Sequence, residues 1–120
     1  MKTILIADPS ELFTEALSQA LAPRFHVHIC HNGIDALRLL QELRPDILIL
    51  QLNLPYIDGL TVLRDSYYKA PITIVLTTIV TDDVINAASA IGVQDLILIP
   101  CTVKHVVEHL ESLQRIPSAD

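Results

Sequence analysis

Pro45-Asp46-Ile47-Leu48-Ile49-Leu50-Gln51-Leu52-Asn53-Leu54-Pro55-Tyr56-Ile57-Asp58-Gly59 decides the fold. Ile47 to Leu50 is a continuous apolar run with no polar residue on either face. Such a run is too short for an ordinary helix, and its Ile and Leu content predicts a strand buried on both sides. Asn53, Pro55 and Asp58-Gly59 then turn the chain into a loop. In an open parallel sheet, chemistry collects where central strands end at their carboxyl edge. Gln51 stands at that end.

Working outward, Thr3-Ile4-Leu5-Ile6-Ala7 is a second short apolar run and predicts a buried strand, β1, ending at Asp8. Asp8-Pro9-Ser10-Glu11 carries helix-start chemistry, read as an Asp cap, Pro at the first helical position and Glu three residues after the cap. Leu12, Phe13, Ala16, Leu17, Ala20 and Leu21 share one helical stripe, and Pro23 ends helix α1. Phe25 to Cys30 alternates as an edge strand would, giving β2. Asn32-Gly33 reads as a turn, followed by α2 with Ile34, Ala36, Leu37, Leu40 and Leu43 on its inner face.

Beyond the opening stretch, which supplies β3 (Ile47–Gln51), Leu60 to Tyr67 predicts α3 and Pro71 to Leu76 predicts β4, leading to Thr77-Thr78. Asp82 to Ile91 predicts α4, closed by Gly92 as a C-terminal cap. Leu96 to Ile99 predicts β5, followed by Pro100. Val103, Val106, Val107, Leu110 and Leu113 form the inner stripe of α5. Mostly apolar strands alternating with helices predict a doubly wound parallel sheet.

At 120 residues the chain has the size of one domain. Hydrophobic residues make up 51% and aromatics 4%, so the core is aliphatic. A formal charge of −6 argues against a nucleic-acid surface in this segment. No stretch is long enough to span a membrane, and Met1-Lys2-Thr3-Ile4 lacks a cleavable signal pattern. Cys30 and Cys101 have no metal-type spacing, and a reduced, cytoplasmic chain is expected.

The β3 stretch and its loop resemble the receiver domain of two-component response regulators. The family's loop runs Asp-x-x-[Leu/Met]-Pro-x-x-Asp-Gly, and this chain reads Gln51-Leu52-Asn53-Leu54-Pro55-Tyr56-Ile57-Asp58-Gly59. The resemblance covers about Lys2 to Leu113. It implies a three-layer α/β/α, flavodoxin-like (CheY-like) fold of five parallel strands in the order 2-1-3-4-5, with right-handed crossovers. Residues 1–115 are expected to form this domain, and 116–120 to begin a C-terminal linker or tail.

The same resemblance implies a pocket at the carboxyl edge, onto which Asp8, Pro9, Gln51, Asn53, Thr77 and Ile99 map. Receiver chemistry needs an Asp that accepts a phosphoryl group, acidic residues that hold Mg²⁺, and a Lys after β5. Gln51 replaces the acceptor, Pro9 a metal-binding acid and Ile99 the Lys of Lys-Pro, while Thr77 keeps the family's hydroxyl. Leu96 stands where the family has its switch aromatic. The expectation is a degenerate pseudo-receiver, with no cofactor, no metal and no catalysis.

Other residues carry blander readings. Asp8 is read chiefly as the α1 cap. His26, His28 and His31 are read as solvated side chains and Cys101 as a small buried thiol. Tyr56, Ile57, Ile79 and Val80 either roof the old pocket or form a partner surface. Asp95, Lys104, His105 and His109 mark a candidate homodimer face on α4, β5 and α5, with Asp95 and His109 paired across a twofold axis. The function expected is phosphorylation-independent regulation of an attached or partner effector, such as a DNA-binding transcription factor. The alternative is a small-molecule-binding flavodoxin-like domain using the same pocket. Against it, Gly33, Gly59 and Gly92 form no Gly-rich fingerprint.

Overall fold

A computed structural model of the chain describes residues 1–115, with the Arg115 side chain left aside; the expected tail at 116–120 lies outside the described residues. The elements are β1 (Thr3–Ala7), α1 (Glu11–Leu21), β2 (His26–Cys30), α2 (Gly33–Leu43), β3 (Ile47–Gln51), α3 (Gly59–Asp65), β4 (Ile72–Thr77), α4 (Asp82–Ile91), β5 (Asp95–Leu98) and α5 (Val103–Arg115). The strands form one sheet in the order β2-β1-β3-β4-β5, and every pairing is parallel. The fold is the three-layer α/β/α arrangement expected.

Alternating side chains of each strand feed two separate cores. Ile4, Ile6, Ile47, Ile49, Ile74, Leu76 and Ile97 face α1 and α5, meeting Leu17, Leu21, Val106 and Leu110. Leu5, Ala7, Leu48, Leu50 and Val75 face the opposite layer, meeting Ala36, Leu40, Val62 and Leu63. Ile47 to Leu50 are fully buried. Burying an aliphatic side chain of this size contributes about 1.5–3 kcal/mol, so β3 anchors both layers at once.

Gly33 fastens α2 to the loop after β3. A Cβ there would sit 1.8 Å from the Ile57 carbonyl oxygen. The absence of a side chain lets the Gly33 amide donate to the Pro55 oxygen at 3.0 Å. The Ile57 amide donates to the same oxygen at 2.9 Å, closing a three-residue turn across Tyr56, whose φ is 71°. The turn aims the Pro55 carbonyl at the start of α2.

Several local expectations are corrected. The α1 cap is Ser10, whose hydroxyl oxygen accepts from the Phe13 amide at 3.1 Å; Asp8 accepts from the Ser10 amide instead. Pro9 biases Asp8 towards extended backbone, so the helix starts two residues later than an Asp8 cap would require. Leu12 is 84% exposed, and α1 buries Thr14 together with Leu17 and Leu21. Ile34 is 53% exposed, and Asn32 is the α2 cap, accepting from the Asp35 amide at 2.8 Å.

Boundaries also move. Phe25 precedes β2 and joins the core beside α1 and α5. Helix α3 stops at Asp65 because Ser66 is extended and its hydroxyl donates to the Tyr68 oxygen at 2.7 Å. Strand β5 begins at Asp95, in register with Ile74, and Ile99 falls just beyond it. The Ile99 amide still donates to the Thr77 oxygen at 2.9 Å, and the Ile99–Pro100 peptide is cis.

Candidate functional site at the carboxyl edge of the sheet

Ala7 pairs with Leu50 in the β1–β3 register, so the next residues, Asp8 and Gln51, come side by side as the strands end. Asp8 is 3% exposed. Its Oδ1 accepts from the Ser10 amide at 2.8 Å, and its Oδ2 accepts from Gln51 Nε2 at 2.9 Å. Burial pushes the Asp8 carboxyl above its ordinary pKa, while Ser10, Gln51 and the nearby His31 pull the other way. His31 Nε2 also lies 3.3 Å from the Thr14 hydroxyl, so His31 is tied to α1, whereas His26 and His28 are exposed.

Asp8, Ser10, Phe13, Gln51, Ile99, Pro100 and Cys101 line a cleft of about 170 Å³. Asp8, Gln51 and Ile99 are therefore brought together as expected. Pro9 and Asn53 are exposed and do not line the cleft. Thr77 ends β4 at the same sheet edge, but its hydroxyl donates to the Ile79 oxygen and accepts from the Ile79 amide, both at 3.1 Å. That side chain is spent on its own turn.

A family model described as the response regulator receiver domain matches residues 4–111. The chain belongs to the response regulator receiver family. This receiver is 34% identical over 102 residues to a protein-glutamate methylesterase/protein-glutamine glutaminase from Rhodospirillum rubrum; the match covers 81% of the receiver and 28% of that protein. The receiver spans less than a third of the curated relatives it matches.

Solved structures agree in fold. The non-phosphorylated HemR receiver domain from Leptospira biflexa superposes with a TM-score of 0.85 at 18% identity, covering 100% of this chain and 99% of that one. A LuxR-family DNA-binding response regulator from Staphylococcus aureus superposes with a TM-score of 0.81 at 23% identity, covering 96% and 100%.

Sequence reasoning missed Ser10 and Phe13 as lining residues of this receiver's cleft. A Ser three residues before Phe13, at the head of an apolar helical pattern, was the available signal. The Cys101 thiol is pushed up by burial and by the charge of Asp8, which opposes thiolate formation.

Tyr56, Ile57, Ile79 and Val80 do not roof the cleft. Tyr56 is 81% exposed, and Ile79 and Val80 are also exposed. Ile57 instead borders a separate surface groove with Ile34, Leu37 and Tyr67. Asp95 and His109 pair with each other inside one chain, through Oδ2 and Nδ1, and so do not await a partner across a twofold axis. The register that starts β5 at Asp95 sets this carboxylate beside α5. Among the described residues no group of three His, Cys, Asp or Glu side chains could hold a metal ion, and no helix is long and apolar enough to cross a membrane.

Proposed function

We propose that this domain is a pseudo-receiver, a cytoplasmic regulatory module that signals without being phosphorylated. The observation that carries the reading is the Gln51–Asp8 hydrogen bond of 2.9 Å. Gln51 occupies the acceptor position, and an amide does not attack phosphorus to give an acyl phosphate. Its N–H group instead meets the carboxylate that would otherwise help hold a cation.

The donor set does not fit Mg²⁺, which favours octahedral oxygen ligation with carboxylates at its centre. Both Asp8 oxygens are engaged, by Ser10 and Gln51. Pro9 offers no side-chain oxygen, and Ile99 brings no charge to a phosphoryl group. A Lys at position 99 would face a single, already partnered carboxylate. Ile99 avoids an uncompensated charge in a half-buried site.

In this reading the domain acts through proteins, controlling an attached or partner effector such as a DNA-binding transcription factor. It performs no catalysis and makes no direct nucleic-acid contact. Exposed Ile79, Val80, Ile85 and Leu98 support a contact surface on the α4–β5–α5 side, also suited to a homodimer. Tyr56, Ile57, Lys104 and His105 are further candidates for the partner surface. The alternative of a small-molecule site at the sheet edge is disfavoured because about 170 Å³ falls below the usual volume of ligand pockets.

Incubation with acetyl phosphate and Mg²⁺, followed by intact-mass measurement, is expected to leave the mass unchanged. A phosphoryl adduct on any residue lining the cleft would overturn the reading.

A further inference from the structure

Helix α5 carries His105 and His109 four residues apart, on one helical face. Their ring centres lie 4.6 Å apart with the planes at 65°. With metal–nitrogen bonds of about 2.0–2.1 Å, two imidazoles on one near-tetrahedral ion hold their ring centres roughly 5 Å apart. The observed spacing lies close to that value.

The pair is also oriented from behind. His109 Nδ1 meets Asp95 Oδ2. An ionised carboxylate only accepts, so Nδ1 carries the proton and the lone pair of neutral His109 lies on Nε2. A carboxylate fixing the tautomer of a histidine is the usual support for a metal-binding imidazole. Glu108 and Ser112 line the same shallow depression as the two rings. The negative formal charge of the chain, −6, favours cations near its surface.

We propose that His105 and His109 form a two-imidazole site for a borderline divalent transition metal of the zinc and copper class. Asp95 acts as its positioning residue. Two protein ligands are fewer than a closed structural site uses, so water completes the coordination and the ion exchanges. Imidazole donors select this class over Mg²⁺ and Ca²⁺. The site is separate from the cleft at Asp8 and does not depend on whether that cleft accepts phosphate.

The test is calorimetric titration of the 120-residue chain with Zn²⁺ at neutral pH. One saturable site is expected. His105→Ala, at an exposed position, removes it with the far-ultraviolet spectrum unchanged. His109→Ala does the same, and Asp95→Asn weakens it about 10–100-fold. The double variant His26→Ala/His28→Ala leaves the isotherm unaltered. With Cu²⁺, electron paramagnetic resonance should show two coordinated imidazole nitrogens, reduced to one in His105→Ala. Absence of saturable Zn²⁺ binding, or full binding in His105→Ala, would overturn the proposal. Undiminished affinity in Asp95→Asn would overturn the role given to Asp95.

Discussion

Gln51 Nε2 donates to Asp8 Oδ2 at 2.9 Å, joining two residues 43 positions apart. Adjacent parallel strands bring them together, since β1 and β3 end at the same level. The bond favours the ionised form of a carboxyl whose pKa burial raises. It thus links sheet register to the charge state of the cleft.

Removing that donor should register in stability. Gln51→Leu leaves Asp8 Oδ2 buried without its partner, a change that costs about 1–3 kcal/mol. Urea denaturation at neutral pH should show a lower midpoint with an unchanged slope. An unaltered midpoint would show that solvent replaces the amide freely.

Asp8 should also set a pH dependence. Its folded pKa lies above the ordinary value of 3.8, with burial as the largest cause. The folded state therefore binds the proton more tightly than the unfolded chain does. That contribution is fully present below 3.8 and is lost as pH climbs through the raised folded value. The stability of the wild type minus that of Asp8→Asn should fall across this window and then level off. Parallel stability curves for the two proteins would refute the assignment.

Gly33 and Gly92 should respond differently to alanine. At Gly33 the new Cβ meets the Ile57 carbonyl, a backbone group that moves only with its loop. The Gly33→Ala variant should lose several kcal/mol or fail to fold, as overpacking combined with the lost Pro55 bond requires (about 1–3 kcal/mol each). At Gly92 there is open space but φ is 93°, so Gly92→Ala should cost about 1–2 kcal/mol. Equal denaturation midpoints for the two variants would contradict this ranking.

Restoring phosphorylation should take more than one substitution. Gln51→Asp alone puts a second carboxylate beside Asp8 with no cation to offset it, and acetyl phosphate should not label it. Adding Pro9→Asp supplies a metal ligand, and adding Ile99→Lys supplies a positive charge near the transferring group. Labelling should begin with the double variant and be fastest in the triple one. If Gln51→Asp alone labels as fast as the triple variant, the cleft retains machinery not credited to it.

Much of this was legible along the chain because strands buried on both faces write themselves as apolar runs. Ile47 to Leu50 has no polar face, and the middle of a parallel sheet accommodates such a segment. Gly92 after a periodic run marked the end of α4, as its left-handed conformation bears out. Asp8 and Gln51 were equally legible as strand-end residues, because each directly follows or closes an apolar run.

What the sequence by itself determined is the order of elements, the parallel sheet, and the placing of Gln51 at the carboxyl end of its central strand. Tertiary structure decided which apolar residues go inside. In α1, docking against the sheet and α5 through Leu17 and Leu21 left Leu12 in solvent and took Thr14 inward. Tertiary structure also decided partners. Competing local caps at Asp8 and Ser10 look alike in sequence, and only the end of β1 beside β3 gave Asp8 to Gln51 and the helix to Ser10. Asp95 and His109 likewise met within one chain because β5 begins at Asp95, alongside α5. Helical and strand periodicities act over a few residues, whereas these choices rest on contacts between distant segments that exist only once the layers have docked.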